Sequence, residues 1–110
     1  EVLSGDDSLT LPMMSVGAVG VISVVSNVAP RTVADLVHHA LAGRWTEARE
    51  LHHRYFPLFS DLFIDTNPIP VKTALVMMGR IEEAFRLPLC EMSEPLKKRL
   101  AETLRQVGLI

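Results

Sequence analysis

Four adjacent residues near the start of the chain, Ser4-Gly5-Asp6-Asp7, bring together a hydroxyl, a glycine and two carboxylates. A glycine lets a ligand come close to the backbone, and a carboxylate beside it can move a proton or hold a polar group. The same aspartates suit a plainer role, capping the helix that follows and favouring its positive end. Both readings stay open at this level. Ile22-Ser23-Val24 is a second candidate. Ile22 has no titratable group, so only its backbone can line a pocket, and core packing is the competing role. The four histidines occur as His38-His39 and His52-His53. Helix neighbours point about 100° apart, whereas zinc ligands on a helix are usually three or four residues apart with a further ligand elsewhere. The histidines are therefore expected on the surface, and no metal is expected. Lys72 falls inside a predicted helix, a poor place for an amine nucleophile that needs a depressed pKa. Tyr55, the sole tyrosine, lies on a helical apolar stripe, and the lone Cys90 reads as an inert thiol. No Gly-rich phosphate loop and no Ser-His-Asp arrangement is present. The residues offer part of a ligand pocket, without a complete catalytic set and without a cofactor.

Those candidates must be positioned by the elements around them. Glu1 to Ser4 is short and apolar and runs into a turn, which predicts a strand. Ser8 to Val16 predicts a short helix with Pro12 in its first turn, closed by Gly17 and Gly20. Val19 to Val25 is a β-branched run without alternation, the pattern of a parallel strand covered on both faces. From Pro30 the period is helical. Val33, Leu36, Val37, Ala40 and Leu41 share a face up to Gly43. Trp45, Ala48, Leu51, Tyr55, Leu58 and Leu62 mark a second buried stripe, which Pro57 should kink. Asp65-Thr66-Asn67-Pro68 reads as a turn and cap. Val71, Leu75 and Met78 carry a third helix, and Met77-Met78 fill core. Arg86-Leu87-Pro88 is an extended linker. Ser93 should cap a last helix with Leu96, Leu100, Leu104 and Val107 on one face. The order is strand, helix, strand, then helices only. A two-stranded sheet is not stable alone. The pattern therefore predicts either a poorly covered small domain or, preferably, the C-terminal end of a larger α/β protein.

Composition agrees with a folded, non-basic domain. The 110 residues are 48% hydrophobic and 22% charged, with a formal net charge of −2. High apolar content with near-balanced charge disfavours disorder, and mild acidity gives no footprint for nucleic acid or an anionic membrane. No apolar stretch reaches the roughly 18 residues of a membrane-spanning helix. One cysteine excludes an internal disulfide and fits a reducing compartment. No signal peptide is visible, and the chain opens on Glu1 with no initiator methionine, so a processed chain or a piece of a longer one is expected.

Taken together and in order, Leu3-Ser4-Gly5-Asp6-Asp7, Gly17-Ala18-Val19-Gly20-Val21-Ile22-Ser23-Val24 with Asn27-Val28-Ala29-Pro30, Asn67-Pro68-Ile69-Pro70-Val71-Lys72, Leu87-Pro88 and Val107-Gly108-Leu109 resemble the dihydrodipicolinate synthase family over the whole chain. The wider pyruvate-dependent aldolases, including N-acetylneuraminate lyase, stand second, and a non-catalytic helical interaction module third. The resemblance implies an α/β fold, a TIM (β/α)8 barrel with a C-terminal helical segment. Residues 1–29 would end the barrel with two parallel strands and a crossover helix. Residues 30–110 would be the last barrel helix and the helical domain. It implies a cytoplasmic homo-oligomer, tetramer or dimer, that condenses pyruvate with aspartate semialdehyde on the way to diaminopimelate and lysine, without a cofactor, nucleic acid or membrane as partner. The Schiff-base lysine, the proton relay, the carboxylate-binding arginine and the lysine-feedback site would all lie in the N-terminal part of the barrel. Lys72 matches a family lysine that is not the Schiff-base residue, and Tyr55 matches no relay position. Four positions carry over: Gly5 lining the substrate site, Asp6 and Asn67 toward the second substrate, and Ile22 with its backbone beside pyruvate. No catalytic residue carries over, and the chain alone is expected to be inactive.

Overall fold

A computed structural model describes residues 1–110. A 3₁₀ turn, Asp7–Leu9, runs directly into α1 (Thr10–Ser15), and a second 3₁₀ turn, Val25–Asn27, precedes the long helices. These are α2 (Pro30–Leu41), α3 (Trp45–Asp61), α4 (Ile69–Met77) and α5 (Glu94–Gln106). The body measures 41 × 27 × 21 Å, with a radius of gyration of 14.4 Å. A compact chain of this length has a radius of about 13 Å.

The two expected strands do not form. Their segments do run side by side in parallel. The Val19 N–H donates to the Val2 carbonyl, the Ser4 N–H to the Gly20 carbonyl and the Ile22 N–H to the Ser4 carbonyl, each at 2.9 Å. This amounts to one parallel bridge, Ser4 with Val21, so the described residues are helical and hold no strand or βαβ unit. The physical reason is twofold. Each segment has only one neighbour, and Val24 already turns into the 3₁₀ conformation at φ −80°, ψ −42°. Coverage on both faces is also absent, because Ile22 is 70% exposed while Val25 is fully buried. A Cβ at Gly20 would sit 3.2 Å from Leu3 Cδ2.

The helices follow their predicted faces closely. α2 starts with Pro30 in its first turn, where a missing N–H costs little, and buries Leu36 and Ala40. It ends just before Gly43, whose φ of +76° lies in the left-handed region that L side chains avoid. α3 buries Ala48, Leu58 and Phe59, with Leu62 just beyond it. Trp45, expected in that stripe, stands at its exposed end instead. The helix continues through Pro57, which supplies no N–H to the carbonyl of His53. In α4, the Ile69 N–H donates to the Thr66 carbonyl at 2.8 Å, so the turn before it caps through backbone and no side chain serves. α5 buries Leu100 and Leu104, and Val107 follows. Ser93 occupies its N-cap position, but its hydroxyl makes no capping bond, contrary to expectation.

The core runs through the α2–α3 contact, with α1 against α2 and α5 bridging α3 and α4. One buried polar tie crosses it. Asp61, 4% exposed at the end of α3, accepts from Arg99 Nη2 at 2.7 Å, Arg99 Nε at 3.2 Å and Thr103 Oγ1 at 2.5 Å on α5. The irregular segment between α4 and α5 is held at two points. Lys72 Nζ donates to the Ala84 carbonyl at 2.6 Å and lies 4.9 Å from the Phe85 ring centre. Lys97 reaches Glu91 at 2.8 Å and Glu83 at 3.4 Å.

Candidate functional site

The Ser4–Asp7 loop and the Ile22–Val24 loop lie next to each other because the parallel bridge between Ser4 and Val21 immediately precedes both. Ser4 is fully buried, and its hydroxyl donates to the Asp6 carbonyl at 2.7 Å while accepting from the Asp6 N–H at 3.1 Å. That closed pair fixes the turn containing Gly5. Gly5 is exposed, makes no hydrogen bond of its own, and has open space where a Cβ would point. Its backbone is therefore free to meet a ligand. The Ile22 N–H is already spent on the Ser4 carbonyl, so the carbonyl is the group that Ile22 can offer.

The two aspartates divide the roles that remained open. Asp6 caps the 3₁₀ turn: its Oδ1 accepts from the Ser8 N–H at 3.0 Å and from the Ser8 hydroxyl at 2.8 Å. The side chain is exposed, and its other oxygen keeps its lone pairs for solvent or ligand. Asp7 points inward and is 3% exposed. It accepts from the Ser23 hydroxyl, from the Val24 N–H at 3.0 Å and from the Val25 N–H at 3.1 Å. Sequence reasoning missed this tie. Its signal was the pair of small hydroxyl residues Ser23 and Ser26 around the end of the apolar run. Ser23 Oγ also accepts from the Ser26 N–H at 2.9 Å.

Asn67 is exposed in the turn before α4, a helix that packs on the Val25–Asn27 turn. It makes no hydrogen bond to either loop. None of the four concavities in the described residues is lined by Gly5, Asp6, Ile22 or Asn67. These residues thus form an exposed edge. It carries backbone polar groups and one carboxylate, with no nucleophile and no acid–base pair.

The other chemical candidates lie elsewhere. His38 and His53 are exposed, and His39 Nδ1 accepts from Arg44 Nε at 2.8 Å. His52 departs from the surface expectation. Its Nδ1 is buried without a partner, on a groove of about 420 Å³ between α1 and α3. Burial, followed by repulsion from His53, pulls its pKa below the usual 6.5. No group of three histidine, cysteine or acidic side chains is placed to hold a metal ion. Cys90 is free and exposed. No helix is long and apolar enough to cross a membrane.

Comparison with known proteins connects this edge to a family. The profile of the dihydrodipicolinate synthetase family matches residues 1–107. The chain is 56% identical to the 4-hydroxy-tetrahydrodipicolinate synthase of Methanocaldococcus jannaschii, over 99% of this chain and 38% of that protein. The crystal structure of dihydrodipicolinate synthase from Aquifex aeolicus superimposes with a TM-score of 0.96 at 57% identity, over 99% of this chain and 37% of that one. The Thermotoga maritima dihydrodipicolinate synthase gives a TM-score of 0.96 at 45% identity, again over 99% and 37%. The chain thus spans between a third and two fifths of the length of these relatives. With the fold and the order of motifs in agreement over nearly every residue, the chain belongs to the dihydrodipicolinate synthetase family.

Proposed function

We propose that these residues are the C-terminal part of a pyruvate-dependent Schiff-base lyase. The reaction is the condensation of pyruvate with aspartate semialdehyde to 4-hydroxy-tetrahydrodipicolinate, in the cytoplasmic synthesis of diaminopimelate and lysine. The observation that carries this reading is identity of 56% over 99% of the chain to a relative bearing that synthase name. In this reading, residues 1–29 complete a TIM barrel. Residues 30–110 supply its last helix and a helical domain that supports the barrel and the contacts of a dimer or tetramer. The missing N-terminal part of the barrel is the first partner. The joint exposure of Val2 (58%), Leu3 (49%) and Ile22 (70%) along the two hydrogen-bonded N-terminal segments supports it, because neighbouring exposed apolar side chains mark a surface that another part of a protein covers.

Within the pocket, Gly5 and the Ile22 carbonyl shape the pyruvate end, while Asp6 and Asn67 face the second substrate. The Schiff-base lysine belongs to the missing part. Lys72 is unsuited to it, since its amine is already engaged by the Ala84 carbonyl and the Phe85 ring. Pyruvate followed by borohydride tests the reading. The full-length protein should gain one pyruvyl adduct on a lysine outside residues 1–110, and the isolated chain none. An adduct on Lys72 would overturn the assignment, as would a full-length protein that makes no product from the two substrates.

A further inference from the structure

Asp7 ties together the two loops that the proposed pocket depends on. The Gly5–Asp6 turn precedes it directly and is locked by the Ser4 hydroxyl. The Ile22 loop is reached through three donors on one carboxylate: the Ser23 hydroxyl and the Val24 and Val25 N–H groups. Those amides begin the Val25–Asn27 turn and have no other acceptor, as Val24 lacks a side-chain cap. The bridge between Ser4 and Val21 sets the spacing of the segments, but it ends at the Ile22 N–H. Beyond that point Asp7 makes the only hydrogen bonds between the two loops, while Val25 packs into the core and Ser23 and Ser26 bond within their own turn. The carboxylate is 3% exposed, so it does not face a ligand itself. We infer that Asp7 is a positioning residue: it holds the Ile22 carbonyl loop and the Gly5 turn in one arrangement at the pyruvate end of the proposed pocket. The inference rests on the function proposed above.

A buried carboxylate with three donors also supports folding, so stability alone cannot test it. Asp61 provides the comparison, being a buried carboxylate with partners on α5 and none on the site loops. In the full-length protein, Asp7→Asn keeps the shape and can still accept from the two amides, but reverses the polarity toward Ser23. We expect it to raise KM for pyruvate about tenfold with kcat less affected, the pattern of lost uniform binding. We expect Asp61→Asn to lower the melting temperature at least as much as Asp7→Asn does, while KM stays within about twofold of wild type. Ser23→Ala, which removes one donor and leaves the amides paired, should raise KM by less than Asp7→Asn does. If Asp7→Asn leaves KM unchanged in an active protein, or if both aspartate variants move KM alike, the positioning role is wrong and the function stands. An inactive wild type would sink both.

Discussion

Arg99 is more than half exposed, with 58% of its side-chain surface open, and an exposed arginine is ordinarily replaceable at a cost within about 0.5 kcal/mol. Arg99→Ala should nevertheless cost far more. Its guanidinium supplies two of the three hydrogen bonds to Asp61, at 2.7 and 3.2 Å, and the Asp61 side chain is only 6% exposed. Removing the arginine leaves a buried carboxylate with only the Thr103 hydroxyl for company. That loss is worth about 3–5 kcal/mol when an ion pair is fully buried. The exposed side of Arg99 is screened by water, so the cost falls short of that range yet stays well above that of an ordinary surface arginine. The position of Asp61 adds to it. A carboxylate in the last turn of α3 faces the negative end of the helix dipole, which Arg99 now offsets. Asp61→Ala should cost less, about 1–3 kcal/mol, because it strands only the buried Thr103 hydroxyl and returns Arg99 to water. The pair ties α3 to α5, so the assay is amide hydrogen exchange along α5 in the full-length protein, alongside the melting temperature. Arg99→Ala should therefore accelerate the protected α5 amides by about tenfold or more. Exchange of α5 amides within about threefold of wild type, or a larger loss for Asp61→Ala than for Arg99→Ala, would refute the claim that Asp61 stays dry once its partner is gone.

Three further outcomes are expected. His52 is held below its usual 6.5, so folding favours its neutral form; the stability this gives is complete above pH 6.5 and is lost as pH falls through the depressed folded value. His52→Leu should flatten the melting temperature between pH 7 and pH 5, and a His52 proton resonance titrating at or above 6.5 would contradict the assignment. Gly20→Ala should cost about 1 kcal/mol, because the new methyl meets the flexible, half-exposed Leu3 side chain at 3.2 Å, whereas Gly20→Val should open the Ser4–Val21 bridge and show it as faster exchange at the Ser4 and Ile22 amides. The bond from Lys97 holds the Glu91 carboxyl below its usual 4.5, so any stability from this exposed pair is present above that value and fades as pH falls through the lower one. Lys97→Met should therefore speed exchange in residues 83–91 at neutral pH, with little change in the global melting temperature and a smaller effect in high salt.

The helical half of the chain was legible because its cause is local. Pro30, the 3.6 spacing of Leu36 and Ala40, and Gly43 set α2 without reference to the rest of the protein, and α5 carries its apolar face at Leu100, Leu104 and Val107 in the same way. The β-branched run from Val19 to Val25 misled for the opposite reason. A strand needs neighbours on both sides, and the run has one segment beside it, so its parallel direction survives and its ladder does not.

The family, the order of the helices, the parallel course of the two N-terminal segments and the four residues proposed to line the pocket were all legible before any folding. These follow from residue types at short range and from motifs read in order. Tertiary structure alone decided which aspartate faces outward and which is spent inside. Asp6 and Asp7 are chemically identical neighbours, and only the arrival of the Val24 and Val25 amides, seventeen and eighteen residues further on than Asp7, separates them. It also decided that Arg99 guards a buried carboxylate thirty-eight residues away, and that His52, alone among the four histidines, has a ring nitrogen buried without a partner. Burial and long-range pairing are properties of the packed chain, and no local spacing encodes them.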